Sequence, residues 1–254
     1  MAVAVLLLFA FLFPAPAAAT TVQSPPWADI MSGPMWAGID PRGDADTAVA
    51  YLKQMGYWTF DDNNNTTATQ ALSSGWAQSD AVWVAFGHAM AGQITIESGA
   101  TGGPSSSTIG AVVANRNVGV SPDFSKGPKA YMYDMPYHQL SKMKLMAFIG
   151  CNTGNDGAKG SPWDGNLVKE AIGDQGVKSA IGFTHEIYFT PNAADLWTDS
   201  FFHGLKNGKS VTDSASDGYN NVFFWWLGFN DTWGFSGPFI QGGSTKLTPA
   251  SYGS

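Results

Sequence analysis

The chain of 254 residues contains one cysteine, Cys151, so no internal disulfide can brace its fold. Charged residues are also scarce, at 13%, against roughly a quarter in ordinary soluble domains. Ser, Thr, Asn, Gln and Gly must therefore cover much of the surface. Lys and Arg number 13 against 20 Asp and Glu, for a formal net charge of −7. The basic residues form no cluster that could neutralise phosphates, which argues against a nucleic-acid partner. No internal repeat is visible, and the Gly-x-Ser-x-Gly elbow of serine hydrolases is missing. The four histidines show no ligand-like spacing with Cys151, so neither a metal nor another cofactor is expected. The stretch Gly204-Leu205-Lys206-Asn207-Gly208-Lys209-Ser210 has the look of a phosphate-binding loop, but His203 stands where such a loop needs glycine and the preceding segment reads as helix.

Hydrophobic residues make up 44% of the chain, ample for a buried core. The run Val3 to Phe13, then Pro14, Pro16 and Ala17-Ala18-Ala19, has the apolar region and small-residue cleavage site of a secretory signal, without its basic start. This predicts a signal peptide over residues 1–23 and a secreted or cell-surface protein; an uncleaved anchor is the alternative. The run falls short of the ~20 residues of a membrane span, and no later stretch is apolar enough, so no stable span is expected once the signal is removed. Residues 24–34, rich in Pro and Ser, read as a linker, and residues 35–254 as one domain. The sequons at Asn64, Asn65 and Asn230 matter only where the host glycosylates.

The domain alternates helix and strand. Asp44 to Met55 has Ala48, Tyr51, Leu52 and Met55 on one helical face, with Asp44 as its cap and Gly56 as its stop. Short elements follow at Trp58–Phe60 (strand) and Thr67–Leu72 (helix). Val82 to Phe86 and Leu145 to Ile149 are continuous apolar runs, as expected of strands buried on both faces of a parallel sheet, and Ser179 to Phe183 is a third candidate for a buried strand. Gln93 to Glu97 suits part of a hairpin, residues 99–108 and 152–164 read as loops, and residues 114–128 lack periodicity. Helices are expected over 166–174, 192–205 and from Ser210 to about Asn220. The class is therefore α/β, with a mostly parallel central sheet flanked by helices. The cluster Phe223-Phe224-Trp225-Trp226, with Trp233, suits core packing better than a ligand groove.

Ligands of open α/β sheets bind outside the carboxyl ends of the strands. That rule selects His88 after the first run, Cys151 after the second and Thr184-His185-Glu186 after the third. If the first two strands are parallel neighbours, the thiol and an imidazole leave the same rim. An imidazole can take the thiol's proton and later protonate a leaving amine. A lone thiol can equally be a small buried hydrophobe.

Asp80-Ala81-Val82-Trp83-Val84-Ala85-Phe86-Gly87-His88, followed by Met146-Ala147-Phe148-Ile149-Gly150-Cys151-Asn152-Thr153-Gly154, resembles the caspase-haemoglobinase fold (clan CD). That group contains caspases, metacaspases, gingipains and CHAT domains. Gly176 to Phe183 and Phe201 to Val211 are similar to later segments of gingipain- and CHAT-like proteins, so the likeness spans roughly residues 36–220. It implies a caspase-like domain and a secreted cysteine endopeptidase acting on peptide or protein substrates. Cys151 would be its nucleophile and His88 its general base and acid, with the backbone N–H groups of Ala89 and Cys151 as oxyanion donors. Asp156, Thr184 and Glu186 would be the substrate-binding candidates. The chain departs from the pattern at Ala89, where the family usually has Gly, and at Ile149, where metacaspases carry Asp. A non-catalytic extracellular binding domain on the same fold is the alternative.

Overall fold

The computed structural model describes residues 24–33, 40–61, 76–96, 110–114, 129–160, 164–187, 193–229 and 238–253. The expected signal segment, the 67–72 helix, the 99–108 loop and nearly all of 114–128 lie outside these residues, as do the three sequon asparagines and Trp233.

A six-stranded sheet forms the centre. Its strands are β1 (Trp27–Ser32), β2 (Trp58–Asp61), β3 (Asp80–Phe86), β8 (Leu145–Ile149), β9 (Ala180–Phe183) and β10 (Pro238–Gln241). Their order across the sheet is β10-β9-β8-β3-β1-β2, parallel throughout except that β10 runs antiparallel to β9. The architecture is thus α/β with a mostly parallel sheet, as the apolar runs imply. Every residue of β3, β8 and β9 is buried, the pattern of strands covered on both faces. The segment 24–34, expected to be a linker, contains a strand. Trp27–Ser32 pairs with both β2 and β3 and lies inside the sheet; the Pro and Ser flanks hid a strand that is buried except at Trp27.

Strand alternation divides the core in two. Ala28, Ile30, Val82, Val84, Phe86, Ala147 and Ile149 face one layer. Against them pack α1 (Arg42–Met55), α3 (Ala193–Lys206) and α4 (Val211–Phe229). Met31, Trp83, Ala85, Met146 and Phe148 face the other layer, which holds α2 (Leu167–Gly173) and a small second sheet. That sheet is β4 (Ala89–Met90), β5 (Gln93–Ile96), β6 (Gly110–Val113) and β7 (Lys129–Tyr131), in sequence order. Burying a large apolar side chain contributes about 1.5–3 kcal/mol. Trp83, Phe148, Trp197, Phe201 and Phe202 are all essentially sealed from solvent.

Helix ends largely follow local signals. Gly56 adopts φ +97° and closes α1, and the Asn166 side chain accepts the Val168 and Lys169 N–H groups to open α2. Asp44 does not cap α1. Pro41 occupies the cap position, and Asp44 lies inside the first turn with 1% of its surface exposed. The last helix continues nine residues beyond Asn220, which places Phe223 to Trp226 on it. The phosphate-loop-like stretch joins α3 to α4, and the helix-end histidine there, His203, is exposed.

The C-terminal segment braces the amino edge of the sheet. Leu247 O accepts the buried Tyr57 hydroxyl at 2.9 Å, and the Gly253 N–H donates to Lys142 O at 2.6 Å. Among the described residues, no helix is long and apolar enough to cross a membrane.

Candidate functional site

The sheet's carboxyl rim carries the chemically competent residues. Strands β3 and β8 are adjacent and parallel, and Phe86 registers with Ile149. A glycine follows each strand, and the Gly87 N–H donates to Ile149 O at 3.1 Å. Packing requires glycine at both places. A methyl on Gly87 would collide with Thr95 O, and one on Gly150 would sit 2.5 Å from Gly87 O and 2.7 Å from the Ala89 methyl. The next residues are His88 and Cys151. The chain's only thiol and an imidazole therefore occupy equivalent positions on neighbouring strands.

His88 is half-buried, and its backbone is fixed by β5: its carbonyl accepts the Thr95 N–H at 2.8 Å and the Thr95 hydroxyl at 2.7 Å. Ala89, in β4, is buried against the second layer. The half-buried Cys151 side chain packs against the first layer. Its Sγ lies 3.5 Å from both Ile187 N and Ile187 O, accepting from one and donating to the other. Burial pushes the thiol pKa up. The Ile187 N–H opposes the rise, the Glu186 charge adds to it, and the backbone N–H of Cys151 opposes it. The resting group is a neutral thiol.

Beyond Cys151 the chain is stitched to the segment after β9. Asn152 takes φ +59°, a left-handed conformation that Asn tolerates better than most residues, and its N–H donates to His185 O at 3.0 Å. Thr153 is fully buried; its hydroxyl donates to Phe148 O (2.7 Å) and Gly150 O (3.0 Å) and accepts the Phe183 N–H (3.0 Å). The Gly154 N–H reaches Phe183 O at 2.8 Å, and Asn155 Nδ2 reaches Thr184 O at 2.8 Å. The Cys151 loop and residues 183–187 thus form one rigid ledge.

An open cleft of about 620 Å³ adjoins this ledge, lined by Met90, Ala91, Asn152, Asn155, Asp156 and Ala158. One wall is the turn that follows His88; the other is the loop that follows Cys151. Asp156 lines it. Its carboxylate is paired with Lys169 Nζ at 2.8 Å, and that ammonium, with the Asn166 amide, holds its pKa below the usual range. Both partners are exposed, so the pair adds at most about 1 kcal/mol to stability. Thr184 and Glu186 do not line this cleft. They act on the ledge instead, Thr184 through its carbonyl and Glu186 through its charge on Cys151. Met90, Ala91, Asn152, Asn155 and Ala158 are not among the expected residues. The signal that finds the first four is adjacency, since each lies within four residues of His88 or Cys151 along the chain; Ala158 lies seven beyond Cys151.

No protein-family model matches the chain, and no curated protein matches it. The reading of this rim therefore stands on its geometry. Among the described residues, no three His, Cys, Asp or Glu side chains are grouped to hold a metal ion. His138, in an exposed turn, stacks on Tyr137, and His185 is exposed with Nδ1 3.2 Å from Thr184 Oγ1.

Proposed function

We propose that this chain is a cysteine endopeptidase of caspase-like build, secreted or at the cell surface, with Cys151 as nucleophile and His88 as general base and acid. The observation that carries the reading is the Phe86–Ile149 register, which sets the two residues at matching points of one rim beside an open cleft. In the proposed reaction the His88 imidazole takes the Sγ proton, and the thiolate attacks the peptide carbonyl carbon. The oxyanion that develops is met by the backbone N–H groups of Ala89 and Cys151. His88 then gives its proton to the leaving amine, and water cleaves the resulting thioester by the same route in reverse. The raised thiol pKa gives His88 its task, because the sulfur does not ionise unaided near neutral pH. The Sγ contacts with Ile187 must also be given up when substrate arrives.

Those same contacts favour a second reading, a non-catalytic extracellular binding domain in which the thiol serves to anchor residues 183–187. One experiment separates the two. A thiol-directed covalent inhibitor is expected to label Cys151 and abolish cleavage of a peptide library. Cys151→Ala should abolish it as well, and His88→Ala should slow it by about 10²–10⁴-fold. Unchanged proteolysis in Cys151→Ala would refute the peptidase reading; a folded wild-type protein that cleaves nothing supports the binding domain.

A further inference from the structure

The amino ends of α1 and α3 meet above the first layer of the core, and each carries an aspartate in its first turn, Asp44 and Asp195. Asp44 is 1% exposed, and among the described residues no donor meets either of its oxygens at hydrogen-bonding geometry. What stands beside it is another carboxyl, that of Asp195, together with the buried Thr198, whose hydroxyl also lacks a partner at hydrogen-bonding geometry. Two ionised carboxylates are both acceptors and repel. One proton between them turns the contact into an O–H···O bond and removes half of the charge. The Thr198 hydroxyl stands near but out of hydrogen-bonding geometry, so a proton held between the two carboxyls satisfies the buried Asp44.

We propose that Asp44 and Asp195 share one proton that latches α1 to α3, and that loss of this proton at alkaline pH releases the two helix ends. Burial raises the Asp44 pKa to about 8, and Asp195 adds to the rise by charge and by hydrogen bonding, against a smaller lowering by Thr198. Among the described residues, no cation is placed to neutralise the pair. On α1 itself, Arg42 is engaged by Asp40, and Asp46 is a further acid. On α3, Asp199 accepts the Tyr51 hydroxyl at 2.8 Å, Lys206 donates to Gln54 at 2.6 Å, and His203 meets the edge of the Tyr51 ring. These three hold the later turns of the two helices, not the first. On β1, Asp29 alternates away from α1, since Ala28 and Ile30 face it. Asp80 opens β3 at the opposite edge, and Asp61 closes β2 at the same rim. The proposal does not depend on whether Cys151 is a nucleophile.

The test is a carboxyl ¹³C NMR titration of the full chain from pH 5 to 10, with amide hydrogen exchange corrected for the intrinsic pH effect. Asp44 is expected to titrate near pH 8, and amides in the first turns of α1 and α3 should lose protection across the same interval while those of β3 and β8 keep theirs. Asp195→Asn, whose amide can donate to an ionised Asp44, should bring the Asp44 midpoint down by at least one pH unit. Asp44→Asn should remove the exchange transition. Should Asp44→Asn fail to fold, the wild-type titration and Asp195→Asn still decide. Titration of Asp44 in the ordinary carboxylate range overturns the proposal, as does a midpoint near 8 that leaves helix-end protection unchanged.

Discussion

Thr153→Val tests the ledge that carries Cys151. Val nearly matches Thr in volume, so no cavity opens in a site that is fully buried. What disappears is one hydroxyl with three partners: the carbonyls of Phe148 and Gly150 and the N–H of Phe183. A hydrogen bond is worth about 1 kcal/mol net, and a buried group that loses its partner adds about 1–3 kcal/mol. The expected loss is therefore about 2–4 kcal/mol, or roughly 4–16 °C in Tm for a chain of this size. Urea unfolding with an unchanged slope measures it. Thr153→Ser keeps the hydroxyl and should lose about 1 kcal/mol, for one methyl group. The valine variant should also expose Cys151 to alkylation faster than wild type, because Asn152 and Gly154 lose their anchor beside it. A valine variant within about 0.5 kcal/mol of wild type, with serine the more damaging of the two, would refute this account of the ledge.

Two further outcomes are expected. Alkylation of Cys151 by iodoacetamide should reach half its limiting rate at a pH above that of a free thiol, about 8.5, because burial and the Glu186 charge both disfavour the thiolate; Glu186→Gln should move that midpoint down, and an upward move would contradict the assigned cause. Asn166→Ala should cost about 1–2 kcal/mol in a denaturant melt, since the side chain caps α2 through Val168 and Lys169 and also donates to Gly154 O at 2.9 Å; a neutral result would mean that solvent replaces the cap.

Unbroken apolar runs made β3, β8 and β9 legible in the sequence, because a strand buried on both faces needs no polar alternate residues. The rule that ligands sit beyond the carboxyl ends of strands points to His88, Cys151 and Thr184 with no need of the pairing. Their being neighbours is a long-range fact. The segment between His88 and Cys151 supplies all four strands of a second sheet, and nothing local to it reveals that β3 and β8 pair directly. The strand Trp27–Ser32 is hidden in the sequence because Pro25, Pro26 and Ser24 give the segment the look of a linker and its six residues contain both Asp29 and Ser32. Asp44 shows a different limit. Its residue type and place suit a helix cap, and only the packing of α3 against α1 buries it opposite another acid. The role of Glu186 was likewise out of reach, since its effect on the thiol follows from how residues 183–187 fold back.

The C-terminal segment has a practical bearing. Gly253 and Leu247 fasten beneath the start of the strands, whereas the cleft opens past their ends. Gly253 therefore stands at the end of the strands opposite the cleft, and an affinity handle, a fluorophore or a surface linker joined beyond it starts on the side away from Cys151. A sample immobilised through that terminus would present the cleft to solution, so reactivity and cleavage can be followed on the tethered protein without first freeing it.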